Sequence, residues 1–300
     1  MSPELPESDF RSGYVAVIGR PNVGKSSLVN ALIGERLAPI SPVPQTTRRR
    51  LLGILSQPEA QVVFVDTPGL HDAGLRLSQM MLADTDRALE DADLTLCVVD
   101  ATREPGAEDR LAYARAQSSK VATILVINKI DLVADGGFLE AHRLDSPFET
   151  VLETSAVTGA GLDELLAAVI AGLPVAAPFF PEDQVSDAME REIAADLIRE
   201  AALGKLSEEL PHAVAVKVEE WTERPGGKLY IHADLYVERD SQKGIVIGRG
   251  GRNLRSIGSQ ARFSLETWLQ RPIYLDLQVK VLKGWRKDDR MLRFLGFDRR

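Results

Sequence analysis

A single cysteine, Cys97, in 300 residues leaves no intramolecular disulfide. The four histidines, at positions 71, 142, 212 and 232, are too few and too scattered to build a Cys/His zinc cage. Long apolar runs are missing as well. The longest, Leu94–Val99 and Val121–Ile127, are strand-length and far short of the ~20 residues that cross a bilayer. The chain starts Met1-Ser2-Pro3-Glu4, acidic where a secretory leader needs basic residues followed by an apolar stretch. These absences set aside secretion, disulfide scaffolding and membrane spanning, and make a reducing, cytoplasmic setting the expectation.

What is present is enough for a full core: 44% of residues are hydrophobic and 27% charged. The net charge of −8 is unevenly spread. Residues 226–300 hold 16 Lys/Arg against 8 Asp/Glu, and residues 1–225 hold 20 against 36. An acidic body with a basic end predicts two units with different partners, the basic one suited to nucleic acid.

Organisation along the chain agrees. Residues 1–10 are polar with two prolines and read as a disordered tail. Apolar strand-like runs at Tyr14–Ile18, Val62–Val65, Leu94–Val99 and Ile124–Ile127 alternate with helical stretches at 25–34, 78–92, 110–118 and 162–171. That alternation predicts a mainly parallel sheet covered on both faces. Three prolines, at 174, 178 and 181, mark a linker. Beyond it, Asp187 with Glu190 resembles a capping box opening a helix to about Leu206. Strands at Ala213–Trp221, Lys228–Val237 and Ile273–Val281 surround a helix from about Asn253 to Leu269, an α+β unit.

Gly19-Arg20-Pro21-Asn22-Val23-Gly24-Lys25-Ser26 fits G-x-x-x-x-G-K-[ST] between a strand and a helix. Its glycines let backbone amides surround phosphate oxygens, Lys25 meets the outer phosphates, and the Ser26 hydroxyl can ligate magnesium. Asp66-Thr67-Pro68-Gly69 closes the next buried strand. Its carboxylate can hold the magnesium shell, and the Gly69 amide can meet a γ-phosphate. Asn128-Lys129-Ile130-Asp131 follows a fourth strand; the Asp131 carboxylate can accept both N1–H and N2–H of guanine, a donor pair adenine lacks. Ser155-Ala156 offers a backbone amide to the guanine O6. Four such elements in this order point to a guanine nucleotide, GTP or GDP, with Mg²⁺, and leave an ATPase nearly excluded.

In the intervening stretch Gln45-Thr46-Thr47-Arg48, Thr47 is the switch-loop candidate for a magnesium ligand and γ-phosphate sensor, since related GTPases place the threonine directly before arginine. Leu70 stands where Ras-like enzymes carry a water-orienting glutamine, which predicts slow intrinsic hydrolysis. His71 beside it is a weaker candidate base.

In the basic unit, Ile247-Gly248-Arg249-Gly250-Gly251 carries G-x-x-G ahead of a helix. Such a turn brings amides against the phosphates of about four single-stranded nucleotides, with Arg249, Arg252 and Arg255 adding charge. Among the tryptophans, Trp268 reads as core. Trp285, beside Arg286 in Lys283-Gly284-Trp285-Arg286-Lys287, is the candidate base-stacking platform.

Taken together, these motifs resemble the Era GTPases, bacterial ribosome-assembly factors, from Tyr14 to Phe297. The likeness rests on the P-loop at 19–26, Gln45–Arg48, Asp66–Leu70, Asn128–Asp131, Phe180-Pro181-Glu182-Asp183, Val246–Gly251 and Gly284-Trp285. Val43, Ser27 and Leu254-Arg255 depart from residues common in that family. The resemblance implies an α/β P-loop, Ras-like GTPase domain at 11–173, a linker at 174–185, and an α+β type II KH domain at 186–300. It implies nucleotide contacts from Gly19 through Ser27, from Asp66 through Leu70, and from Asn128, Lys129, Asp131, Ser155 and Ala156. Lys25, Thr47, Gly69 and Asn22 are the catalytic candidates, and Ser26, Thr47 and Asp66 the metal ligands. In similar GTPases the residue type at Asn22 helps hold potassium. The resemblance further implies binding to the 3′ region of 16S ribosomal RNA, a part in 30S maturation, peripheral contact with the inner face of the cell membrane, and no stable oligomer. The rival reading is a nucleotide-gated RNA-binding module in which hydrolysis is incidental.

Overall fold

The computed structural model describes residues 9–41, 46–69, 74–206 and 210–297. The candidates Leu70 and His71, together with Val43 and Gln45, lie outside them. Two compact units emerge, one comprising residues 1–38, 47–71 and 81–187, the other 39–46, 72–80 and 188–300.

The first unit runs β1 (Arg11–Ile18), α1 (Lys25–Ile33), β2 (Leu51–Gln57), β3 (Ala60–Asp66), then α2, whose helix is Arg76–Glu90, β4 (Leu94–Asp100), α3 (Ala107–Ser118), β5 (Ala122–Asn128), α4 (Leu139–Asp145), β6 (Thr150–Thr154) and α5 (Leu162–Gly172). The sheet order is β2-β3-β1-β4-β5-β6, with only β2 antiparallel to its neighbour. Strand side chains alternate between two cores, which is why the runs are apolar at every position. Val15, Val17, Val62, Phe64, Ile124 and Val126 face Leu28 of α1 and Leu165 and Val169 of α5. Ala16, Ile18, Val63, Val65, Leu125 and Ile127 face Ala88, Leu89, Ala112 and Tyr113 on the other side. Parallel strands deliver all their C-terminal ends to one edge, where ligands of such sheets bind.

The segment read as a linker, 174–185, runs along the sheet. Gln61 of β3 donates to the Phe180 carbonyl at 2.9 Å and accepts from the Phe179 and Phe180 amides, while the Ile54 amide of β2 donates to the Val185 carbonyl. Prolines, which have no N–H to donate, are compatible with that path. The Asp187–Glu190 capping box does not form. Asp187 accepts from the Leu52 amide of β2, and the helix begins three residues later, where Glu192 caps the Met189 amide at 3.2 Å.

The second unit runs α6 (Glu190–Leu203), α7 (Leu210–Ala213), β7 (Ala215–Arg224), β8 (Lys228–Val237), α8 (Asp240–Ile247), α9 (Arg252–Leu269), β9 (Ile273–Val281) and α10 (Asp289–Phe294). Its sheet is β7-β8-β9, antiparallel then parallel. One face, with Leu229, Ile231, Ala233 and Leu235 fully buried, packs under α6 and α9, which contribute Ile193, Leu197, Ile257, Ala261 and Leu265. Within the same unit, buried Arg199 of α6 donates to the Thr46 carbonyl at 2.5 Å.

Candidate nucleotide and RNA sites

The P-loop, between β1 and α1, places Lys25 with its Nζ donating to the Gly19 and Arg20 carbonyls, both at 3.1 Å. Burial pushes that ammonium down to about 8. Ser26 Oγ lies 2.7 Å from Thr47 Oγ1 and 2.7 Å from Asp66 Oδ2, and Thr47 Oγ1 lies 3.4 Å from the same carboxylate. Burial pushes Asp66 up to about 6, against hydrogen bonds from Ser26 and Thr47 and the nearby charge of Lys25. Its Oδ1 is buried with no hydrogen-bond partner among the described residues. Two hydroxyl oxygens beside a buried carboxylate with one unsatisfied oxygen fit Mg²⁺, which prefers such donors and favours the ionised state of the acid.

Thr67 anchors the other phosphate-side loop by donating to the Val17 carbonyl at 2.7 Å. Gly69 then passes so close to Pro21 that a Cβ would sit 2.7 Å from its Cα. Only glycine lets the two loops approach in this way.

The base-side residues are stitched to the P-loop. Asn128 donates to the Val23 carbonyl at 3.0 Å, and Lys129 donates to the Asn22 carbonyl at 2.6 Å and to Asp100 Oδ2 at 2.7 Å. Exposed Asp131 has one carboxylate oxygen held by the Ser155 hydroxyl at 2.6 Å. Ser155 is itself fully buried and accepts from the Val157 and Thr158 amides. The serine thus sets Asp131 through its side chain, a role the sequence reading did not give it. The Ala156 amide donates to Asn128 Oδ1 at 3.2 Å.

Arg20 lies in the loop by its backbone, but its buried guanidinium is committed to Asp109 at 3.1 Å and Asp100 at 3.6 Å. Asp100, the last residue of β4, was overlooked, although a carboxylate ending an apolar strand at this sheet edge was a legible signal. It joins Arg20 and Lys129, and its carbonyl faces His142 Nε2 at 3.2 Å.

In the second unit, the G-x-x-G turn follows α8. Gly248, Gly250 and Gly251 adopt φ of 71°, 61° and 75°, left-handed values that explain the glycines. Arg255 donates to the Gly250 carbonyl at 2.6 Å and so braces the turn, while Arg249 and Arg252 are charged neighbours. Trp285 corrects the sequence reading. It is fully buried, donates to the Ala213 carbonyl at 3.1 Å, and stacks on Phe297 at 5.8 Å, so it presents no face to RNA. Arg286 pairs with Glu238 at 2.5 Å.

Residues 14–129 match the family model described as 50S ribosome-binding GTPase, and residues 209–286 match the KH domain. The chain is 43% identical to GTPase Era of Geobacter metallireducens, over 98% of this chain and 100% of that protein. It is 44% identical to GTPase Era of Lacticaseibacillus paracasei, over 97% and 98%. Among solved structures it is similar to Era in complex with MgGDPNP and nucleotides 1506–1542 of 16S ribosomal RNA (37% identity, TM-score 0.91, 96% of this chain and 99% of that one). An Aquifex aeolicus Era variant bound to GDP·AlF4− matches with the same identity, TM-score and coverage.

Proposed function

This chain belongs to the Era family of GTPases, and from that membership we propose that its GTP cycle governs its hold on the 3′ region of 16S ribosomal RNA during maturation of the 30S subunit. It binds GTP and GDP with Mg²⁺ and hydrolyses GTP. One observation carries the nucleotide part of the reading: the Ser26, Thr47 and Asp66 oxygens cluster beside the P-loop, and Asn128 and Lys129, which precede an Asp131 braced by Ser155, donate to the loop's Val23 and Asn22 carbonyls. When bound, Mg²⁺ offsets phosphate charge, and Ser26, Thr47 and Asp66 are the residues to hold it. Lys25 sits where it adds a positive charge to the outer phosphates, and Gly69 offers its amide.

The test is RNA affinity in each nucleotide state. A labelled single strand from the 3′ end of 16S rRNA is titrated with the chain in GDP and in a non-hydrolysable GTP analogue. Tighter binding with the analogue supports the reading, and equal affinity overturns the coupling. Asn22, left-handed at φ 64° in the P-loop, is the residue to which we assign potassium; equal turnover in potassium and sodium removes that assignment. Among the described residues no helix is long and apolar enough to cross a membrane. The proposed setting is the cytoplasm with peripheral contact at the membrane's inner face, which flotation with anionic vesicles tests.

A further inference from the structure

Asp109 lies in the first turn of α3, outside every nucleotide motif, yet its buried carboxylate binds a P-loop side chain. One oxygen, Oδ2, accepts from the Gly106 amide at 2.9 Å and caps the helix, and the other, Oδ1, accepts from Arg20 Nε at 3.1 Å. Arg20 is buried as well, and its Nη2, 3.6 Å from Asp100 Oδ2, makes no hydrogen bond among the described residues. A buried ion pair with an unsatisfied donor adds little stability, since apolar side chains of the same volume often serve as well or better. What it gives this loop is a fixed position for one residue.

That residue bears on the outer-phosphate end of the site. The Arg20 carbonyl, with that of Gly19, holds the Lys25 ammonium. Pro21 follows, and Gly69 packs on it so closely that a Cβ at Gly69 would lie 2.8 Å from the Pro21 nitrogen. The Arg20 carbonyl and the Pro21 nitrogen belong to one planar peptide unit, so a rotation there moves the Lys25 acceptor and the surface under Gly69 together. The helix side of the loop needs no such strut. There the Leu28 amide already donates to the Gly24 carbonyl at 2.8 Å, and the amides of a helix N-terminus hold phosphate unaided.

We infer that Asp109 is a positioning residue for GTP hydrolysis: through the Arg20 side chain it fixes the Arg20–Pro21 peptide, and with it Lys25 and Gly69, without touching the nucleotide. This assignment rests on the placement of Lys25 and Gly69 at the outer phosphates above and extends the site to a residue of α3. Asp109 acts on the transition state more than on bound GDP. Charge shifts at the phosphoryl group being transferred, where pre-placed donors matter most, whereas the inner phosphates stay on the α1 terminus. A misplacement of about 1 Å at such groups costs on the order of 100-fold in rate.

The test is steady-state GTP hydrolysis and GDP titration on the full chain carrying Asp109→Asn, Arg20→Met or both, with a thermal melt of each. Asparagine keeps the shape but has one acceptor oxygen for two donors, so either Arg20 or the Gly106 amide loses its partner. The expected result for Asp109→Asn is a fall in kcat and kcat/KM together, by roughly 10- to 100-fold, with GDP affinity kept. The double variant is no slower than Arg20→Met, because Asp109 acts only through that side chain. Should Arg20→Met not fold, Arg20→Lys takes its place in the cycle. A lowered melting midpoint with kcat kept, measured well below that midpoint, makes Asp109 a helix cap only and overturns the positioning role. Losses that multiply in the double variant overturn it too, as does an equal loss of GDP affinity. Lys25→Ala separates this result from the reading beneath it. An inactive Lys25→Ala beside a fully active Asp109→Asn removes the role of Asp109 alone, whereas wild-type turnover in Lys25→Ala removes both.

Discussion

At the scale of single residues, nucleotide selectivity depends on how firmly Asp131 is held. Its carboxylate is exposed, and an exposed carboxylate alone samples several rotamers. The buried Ser155 hydroxyl removes that freedom with one hydrogen bond of 2.6 Å. Ser155→Ala deletes that bond and leaves the Val157 and Thr158 amides without their acceptor, a cost of about 1–2 kcal/mol. The expected result is GDP affinity reduced about tenfold, with a narrower preference for guanine over hypoxanthine nucleotides in competition titrations. Asp131→Asn sets the upper limit of that loss, since it replaces an acceptor by a donor facing the guanine N2 amino group.

Asp100 gives a second prediction at this scale. Burial pushes its carboxyl up, but hydrogen bonds from Lys129 and Thr102 outweigh burial and hold it below its ordinary value of 3.8. A depressed acid stabilises the fold above its unfolded value and loses that contribution as pH falls through its folded one. Asp100→Asn therefore lowers the melting temperature near neutral pH, and the gap to wild type closes as pH drops below about 4. Because Lys129 bridges Asp100 to the Asn22 carbonyl, the same variant weakens nucleotide binding near neutral pH. A constant melting gap from pH 6 to 3 contradicts this account.

At the scale of elements, the strands and the phosphate site were legible because each carries a strong local signal. Ile273–Val281 and Lys228–Val237 appear as expected from period-two patterning. P-loop, Asp66 and Asn128–Asp131 stand at strand ends that apolar runs define. Other elements left weaker traces. β2, Leu51–Gln57, is an antiparallel edge strand whose Gly53 and Ser56 dilute its pattern, and α8 is short with a glycine inside it. Trp285 failed for another reason: neighbouring Lys283, Arg286 and Lys287 made it look like a surface aromatic, whereas its indole closes the unit's interior under Phe297. That burial makes Trp285→Ala a stability variant. A lost buried tryptophan costs roughly 3–5 kcal/mol, enough to lower the unit's melting temperature by roughly 10–20 °C. RNA affinity measured well below that midpoint changes little. A stacking role predicts the opposite pair of results, with affinity lost and the midpoint kept.

For the whole molecule, the issue is whether an acidic nucleotide unit and a basic RNA unit act as one device. The chain crosses between them at adjacent residues: the Thr46 carbonyl accepts from Arg199 in the second unit, and the Thr47 hydroxyl lies beside Ser26 and Asp66 in the first. A γ-phosphate and Mg²⁺ that fix Thr47 therefore act one peptide bond from a residue the second unit holds. Coupling of this kind is an equilibrium property and must be reciprocal. If the GTP analogue tightens RNA binding by some factor relative to GDP, RNA must raise the analogue's affinity relative to GDP by the same factor. A coupling of about 1–3 kcal/mol corresponds to roughly 5- to 150-fold, well within reach of two titrations. Arg199→Lys keeps a charge but loses the planar fork that reaches both the Thr46 and Val214 carbonyls. It should shrink both factors together while leaving GDP affinity without RNA unchanged. If the two factors agree in wild type and remain undiminished in Arg199→Lys, the coupling runs through some other part of the chain. If each factor is one, the two units share a chain and nothing more.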